Sequence, residues 1–85
     1  MKIGIASDHR GVQLKARLTQ LLQSLECEVK DFGPFEVQSV DYPDYAAQVA
    51  REVSGGKIDR GILICGTGIG MCITANKFTG VRAAP

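Results

Sequence analysis

The chain has no tryptophan, one histidine, three prolines and three cysteines among its 85 residues. With a single histidine, and with Cys27, Cys65 and Cys72 forming no C-x-x-C pair, it contains no credible zinc set. An odd number of thiols also argues against a disulfide framework. The N-terminus, Met1-Lys2-Ile3-Gly4-Ile5, enters a strand-like alternation directly, so no signal peptide is expected. Free thiols without an export signal predict a reducing cytoplasm. The longest apolar runs are only a few residues, far short of a membrane span. Charge of one sign is missing too: 10 Lys and Arg stand against 9 Asp and Glu, a net charge of +1, interspersed with no basic stripe. Nucleic acid is therefore not an expected partner.

What remains is ordinary globular composition, 45% hydrophobic and 22% charged. The length suits one small domain, residues 1–85, and such a chain buries roughly 60–65% of its unfolded surface. No internal repeat, linker or low-complexity segment interrupts it.

The hydrophobic pattern predicts a strand over Lys2 to Ala6, closed by the turn Ser7-Asp8-His9-Arg10-Gly11. Leu14, Leu18, Leu21, Leu22 and Leu25 then recur at helical period and predict one apolar helix face. A second strand is expected over Glu28 to Phe32, ended by Gly33-Pro34, and a loop over 34–44 follows it. Asp44 is the expected N-cap of a second helix with Tyr45, Val49, Ala50 and Val53 inward, stopped by Gly55-Gly56. Gly61 to Cys65 reads as strand three, Met71 to Lys77 as a short helix, and Val81 to Ala84 as the start of a fourth strand. This βαβαβαβ order predicts an α/β fold, a doubly wound, Rossmann-like or flavodoxin-like parallel sheet in three layers. It stops just after strand four begins, where an uncovered edge is unusual, so the chain reads as the N-terminal part of something longer.

The densest chemistry lies in Arg60-Gly-Ile-Leu-Ile-Cys-Gly-Thr-Gly-Ile-Gly-Met71. A strand delivers Cys65 to a glycine-rich turn ahead of a helix. Reactive groups of open α/β sheets sit at this edge, and the first helical N–H groups favour a thiolate there. The turn is not a Walker loop, because no Lys-Ser/Thr closes it. It misses the dinucleotide fingerprint as well, since the third glycine would have to stand at Met71. Its glycines suit a backbone cradle for an anion; the plainer alternative is a tight turn without a ligand. Cys65 is equally open to reading as a small core residue. Cys27 and Cys72 read as packing residues. Asp8 and His9 end strand one on the same sheet edge, where Asp8 either caps the next helix, meets a ligand, or does both. Tyr42 lies in the long loop, and Asp41 and Asp44 read as turn and cap residues.

Together these residues resemble one family. Ser7-Asp8-His9-x-Gly11, Val40-Asp41-Tyr42-Pro43-Asp44-Tyr45, and Gly61 to Met71 with Ala75-Asn76-Lys77 are similar to ribose-5-phosphate isomerase type B, a family that includes the galactose-6-phosphate isomerase subunits. The resemblance runs the whole length of the chain. It implies interconversion of an aldose phosphate and its ketose through an enediolate, with no metal and no cofactor. Cys65 then matches the base that moves the proton between C1 and C2, and Thr67 a residue assisting ring opening. Gly66, Gly68, Ile69 and Gly70 match the backbone cradle for enediolate charge. Asp8, His9 and Tyr42 match substrate contacts, with His9 near the phosphate. Relatives lacking this cysteine carry a glutamate at the position of Met71, so the chain resembles the cysteine type.

The resemblance further implies a sugar-phosphate substrate, a homodimer or dimer of dimers for the full-length protein, and a continuation past Pro85 that carries a second histidine, an asparagine and phosphate-holding arginines. Two alternatives accompany it. One is a catalytically incompetent fragment that binds an anion or pairs with another chain. The other is an isomerase for a six-carbon sugar phosphate such as allose or galactose 6-phosphate. A flavodoxin-like nucleotide or flavin module is disfavoured, because Ser7 to Gly11 has one glycine and no phosphate fingerprint.

Overall fold

A computed structural model describes residues 1–34, 42–66 and 68–85, with the side chains of residues 42 and 43 outside that description. The order is β1 (Lys2–Ser7), α1 (Val12–Ser24), β2 (Glu28–Asp31), α2 (Tyr42–Ser54), β3 (Arg60–Ile64) and α3 (Ile69–Ala75). The described strands form a parallel sheet in the order β2-β1-β3. Ile3 stands opposite Val29 on one side and Arg60 on the other, and Ile5 opposite Asp31 and Ile62. Central β1 has neighbours on both edges and is buried from Ile3 to Ser7. Its residues accordingly read as a nearly continuous apolar run rather than an alternation.

Side-chain parity distributes the helices. A Cβ on Gly4 would meet Ile58 and Val49, and Ala6 joins Val49 and Ile58 in the core, so these positions face α2. Ser7, of the opposite parity, lies under Gly11 at the start of α1. Thus α1 covers one face while α2 and α3 pack together on the other, as right-handed crossovers on either side of β1 require. The main core lies between α2, α3 and the sheet: Ala6, Ala46, Val49, Ala50, Ile58, Met71 and Ala75, while Ile3 and Ile5, of Ser7's parity, are buried on the α1 face. The expected inward face of α2 holds, with Val49 and Ala50 buried and Tyr45 and Val53 packed against the core. Among the described residues no helix is long and apolar enough to cross a membrane.

Four expectations are corrected. Leu14, Leu21 and Leu25 do not face inward; they are 51%, 53% and 65% exposed, and the buried residue of α1 is Lys15. The inward line is Lys15, Leu18 and Leu22, with both leucines half-buried. Among the described residues the helix rests mainly on β1 and β2, so the far side of its wide leucine stripe lies beyond the sheet. Second, Asp44 is not the N-cap of α2, which begins at Tyr42; Asp44 lies in the first turn. Proline fits a first turn, so Pro43 does not delay the helix, and a carboxylate there still favours the helix dipole.

Third, α3 begins at Ile69, after Gly68 in the left-handed conformation at φ 79°, so Ile69 and Gly70 are helical rather than loop residues. Fourth, residues 81–85 form no strand. The Asn76 side chain donates to the Ala83 carbonyl (3.1 Å) and accepts its N–H (2.8 Å), and the Cys72 thiol donates to the same carbonyl (3.2 Å). Ala83 therefore spends its backbone groups on α3 instead of on the edge of β3. A cavity of about 710 Å³ remains between this segment, β3, α2 and α3.

Candidate active site

The C-terminal ends of the strands bring the Asp8 loop and the Cys65 turn together. Beyond β1, the Asp8 N–H donates to the Ile64 carbonyl at 2.8 Å and extends the β1–β3 ladder by one bond. Asp8 Oδ1 then accepts the N–H groups of Arg10 (3.0 Å) and Gly11 (3.1 Å). The carboxylate thus closes the turn ahead of α1, and α1 itself starts from Gly11 without a side-chain cap. His9 is half-buried, and its buried Nδ1 has no partner among the described residues. Ser7 Oγ, fully buried below, likewise has no hydrogen-bond partner among the described residues.

Cys65 follows the last residue of β3 and is half-buried. Its Sγ accepts the N–H of Gly68 at 3.0 Å. Gly68 can turn that N–H onto the sulfur because its φ of 79° suits a residue without Cβ. An N–H aimed at sulfur is the contact a thiolate accepts. Around Gly66 the space is open among the described residues: a Cβ there would meet none of their atoms within 4 Å. The turn therefore presents backbone on a clear approach beside a thiol.

Of the residues predicted from the sequence, Asp8, His9, Cys65, Gly66, Gly68, Ile69 and Gly70 gather at this edge of the sheet. Thr67 and the Tyr42 side chain lie outside the described residues, as does Asp41; the Tyr42 backbone begins α2. Met71 is a core residue, 1% exposed. Cys72 and Cys27 are both half-buried, and Cys72 is bonded to the Ala83 carbonyl. The large cavity is not this site. It runs beside the free edge of β3 and reaches the turn only at Gly68, away from Asp8, His9 and Cys65.

Sequence reasoning missed the polar supports. Lys15 Nζ, with 2% exposure, pairs with Asp31 Oδ1 at 2.8 Å and donates to the Pro34 carbonyl. The available signal was phase: Lys15 lies three residues before Leu18 and seven before Leu22, on their face. A lysine is so seldom buried that residue type outweighed position.

A family model described as Ribose/Galactose Isomerase matches residues 3–85. The chain belongs to that family. It is 55% identical over 84 residues to ribose-5-P isomerase B of Listeria innocua, covering 99% of this chain and 57% of that one. It is 44% identical over 85 residues to D-erythrulose-4-phosphate isomerase of Pectobacterium atrosepticum, covering 99% of this chain and 56% of that one. Among solved structures, ribose-5-phosphate isomerase B of Clostridium thermocellum superposes with a TM-score of 0.95 at 54% identity, covering 99% of this chain and 57% of that one. The chain thus spans a little over half the length of these ribose/galactose isomerase relatives, and over that span it shares their α/β fold.

Proposed function

We propose that this chain supplies the proton-transfer part of an aldose–ketose isomerase site that interconverts ribose 5-phosphate and ribulose 5-phosphate. The observation that carries the reading is Cys65 at the end of β3, its sulfur held by the Gly68 N–H, with the Asp8–His9 loop tied alongside through Ile64. Residues 1–85 act in it as one α/β unit.

In this reading the open-chain aldose lies with C1 and C2 over Cys65. The thiolate removes the proton from C2, the electron pair forms the C1–C2 double bond, and the carbonyl oxygen at C1 becomes an enediolate oxygen. The same thiol returns the proton to C1 while the proton of the C2 hydroxyl passes to the oxygen on C1, leaving a carbonyl at C2 and a hydroxyl at C1, the ketose. A proton beside a carbonyl is a weak acid, so the base must be positioned and the developing oxyanion must meet fixed donors. Backbone N–H groups from Gly66 to Gly70 form that cradle, and Thr67 assists ring opening. Asp8 and Tyr42 contact the sugar hydroxyls, and His9 stands toward the phosphate. The orphaned Nδ1 of His9 marks a polar atom on the site loop that bonds nothing within the described residues.

The name of the Pectobacterium relative supports a second reading, a sugar phosphate of another chain length, because it is 44% identical yet acts on a four-carbon substrate. Galactose in the family description points to six carbons. The test is isomerisation of ribose 5-phosphate in deuterated water, with erythrulose 4-phosphate and allose 6-phosphate alongside. Deuterium entering the product with wild-type Cys65, and about 10²–10⁴-fold less turnover in Cys65→Ala, is the expected result for a general base. Equal exchange in both proteins would remove Cys65 from its role.

A further inference from the structure

Lys15 is a buried cation on a helix two of whose leucines, Leu14 and Leu21, face solvent. A buried ion pair is weak support for stability, because apolar residues of the same size often replace one without loss. What the pair does here is visible in its connections. Lys15 Nζ donates to Asp31 Oδ1 at 2.8 Å and to the Pro34 carbonyl at 2.5 Å, gripping both sides of the turn that ends β2. The same Oδ1 accepts the Gly33 N–H at 2.8 Å. The Gly33 carbonyl then accepts the N–H of Ser7 at 3.2 Å. From Ser7 the main chain leads to Asp8, whose carboxylate holds the Gly11 N–H at 3.1 Å. The Gly11 carbonyl accepts the Lys15 N–H at 2.8 Å, which closes the ring on the residue where it began. Asp8 is thus fixed from both directions, by the backbone of Lys15 through Gly11 and by its side chain through Asp31, Gly33 and Ser7. It in turn bonds Ile64, the residue before Cys65.

We infer that Lys15 is a positioning residue of the site: with Asp31 it locks the turn after β2 against β1, and so sets the placement of Asp8 and His9 beside Cys65. This inference rests on the isomerase reading only for its effect on turnover. The ring itself holds whatever the substrate is.

The test uses the neutral pair Lys15→Met with Asp31→Asn, in which Asn keeps the acceptor for the Gly33 N–H and no charge is left buried alone. Amide hydrogen exchange and isomerase kinetics are read together on the whole protein. Ser7 and Asp8 should exchange about tenfold faster, the scale of one lost hydrogen-bonded tie. Asp59, whose N–H bonds the Lys2 carbonyl at the opposite end of the sheet, should keep its rate. Turnover should fall by a similar factor and KM should rise with it, because the loosened loop carries the proposed substrate contacts Asp8 and His9.

Wild-type exchange at Ser7 and Asp8 would overturn the inference. So would equal acceleration at Asp59, which would make the pair a general stability element, or faster local exchange with unchanged turnover. If the unsubstituted protein isomerises none of the sugar phosphates, the proposed function fails, and the exchange comparison still decides whether the ring holds Asp8. Lys15→Arg, which keeps the charge in a different geometry, carries the same readouts if the neutral pair does not fold.

Discussion

The N–H of Asp8 donates to the carbonyl of Ile64 at 2.8 Å, one residue before Cys65. This bond continues the parallel ladder past the last paired residues and brings a carboxylate loop and a thiol to the same height above the sheet. In open α/β sheets the crevice at the carboxyl ends of the strands is where ligands bind. Here β1 and β3, adjacent in the sheet though far apart in sequence, each bring one half of the chemistry.

Asp8 closes the turn before α1 and is proposed to meet the sugar, and substitution separates the two. Its carboxylate holds the N–H groups of Arg10 and Gly11. Asp8→Ala should cost about 1 kcal/mol in stability, as losing a capping side chain does, whereas Asp8→Asn should stay within a few tenths. Both should lower isomerase turnover if the carboxylate also meets the sugar. Thermal melts beside kinetics check this, and full activity in a stable Asp8→Asn would leave the residue a cap alone.

Two glycines should respond in opposite ways. A Cβ on Gly61 would lie 2.6 Å from Val49 Cγ1, in the packed layer beneath α2. Gly61→Ala is expected to cost about 1–3 kcal/mol through overpacking. At Gly66 the same methyl would meet no atom of the described residues within 4 Å. Gly66→Ala should therefore melt like the wild type and still lose activity, because the methyl fills the approach to the cradle. Denaturation curves and initial rates measured on both variants distinguish the two effects.

Ser7 is fully buried with a hydroxyl that bonds nothing among the described residues. An unsatisfied buried polar group carries a desolvation penalty of about 1–3 kcal/mol, which removal of the oxygen relieves at the expense of a small void. Ser7→Ala should raise the melting temperature or leave it unchanged. A clear drop would mean that the hydroxyl has a partner in solution.

Asn76 holds the segment after α3 through paired bonds to Ala83, at 3.1 and 2.8 Å. Asn76→Ala should cost about 1–2 kcal/mol, at roughly 0.5–1.5 per bond. It should also speed amide exchange at Ala83 without affecting Asp8. Unchanged protection at Ala83 would show that the segment is held by other contacts.

Much of the architecture was legible from short-range pattern. Apolar runs around Ile3 to Ala6 and Ile62 to Ile64, with punctuation at Gly11, Gly33 and Gly56, sufficed for the order of the first six elements, though not for the expected fourth strand. Their parallel arrangement followed from alternation alone. The glycine turn after Cys65 was equally readable, since its residue types have few other uses. Element ends were less so: α3 begins inside the glycine run because Gly68 alone takes the left-handed turn, leaving Gly70 free to be helical.

The sequence by itself determined the alternation of strands and helices, the family, and the chemical groups at the strand ends, because these depend on local period and on residue types with narrow uses. Only the tertiary structure decided which face of α1 is inward, what Lys15 and Asp31 do, and why Ala83 does not join β3. Those outcomes depend on how far the sheet extends beneath a helix and on which donor reaches a carbonyl first. Both are set by groups far apart in the chain, such as Lys15 with Pro34 and Asp8 with Ile64. A one-dimensional period cannot express them.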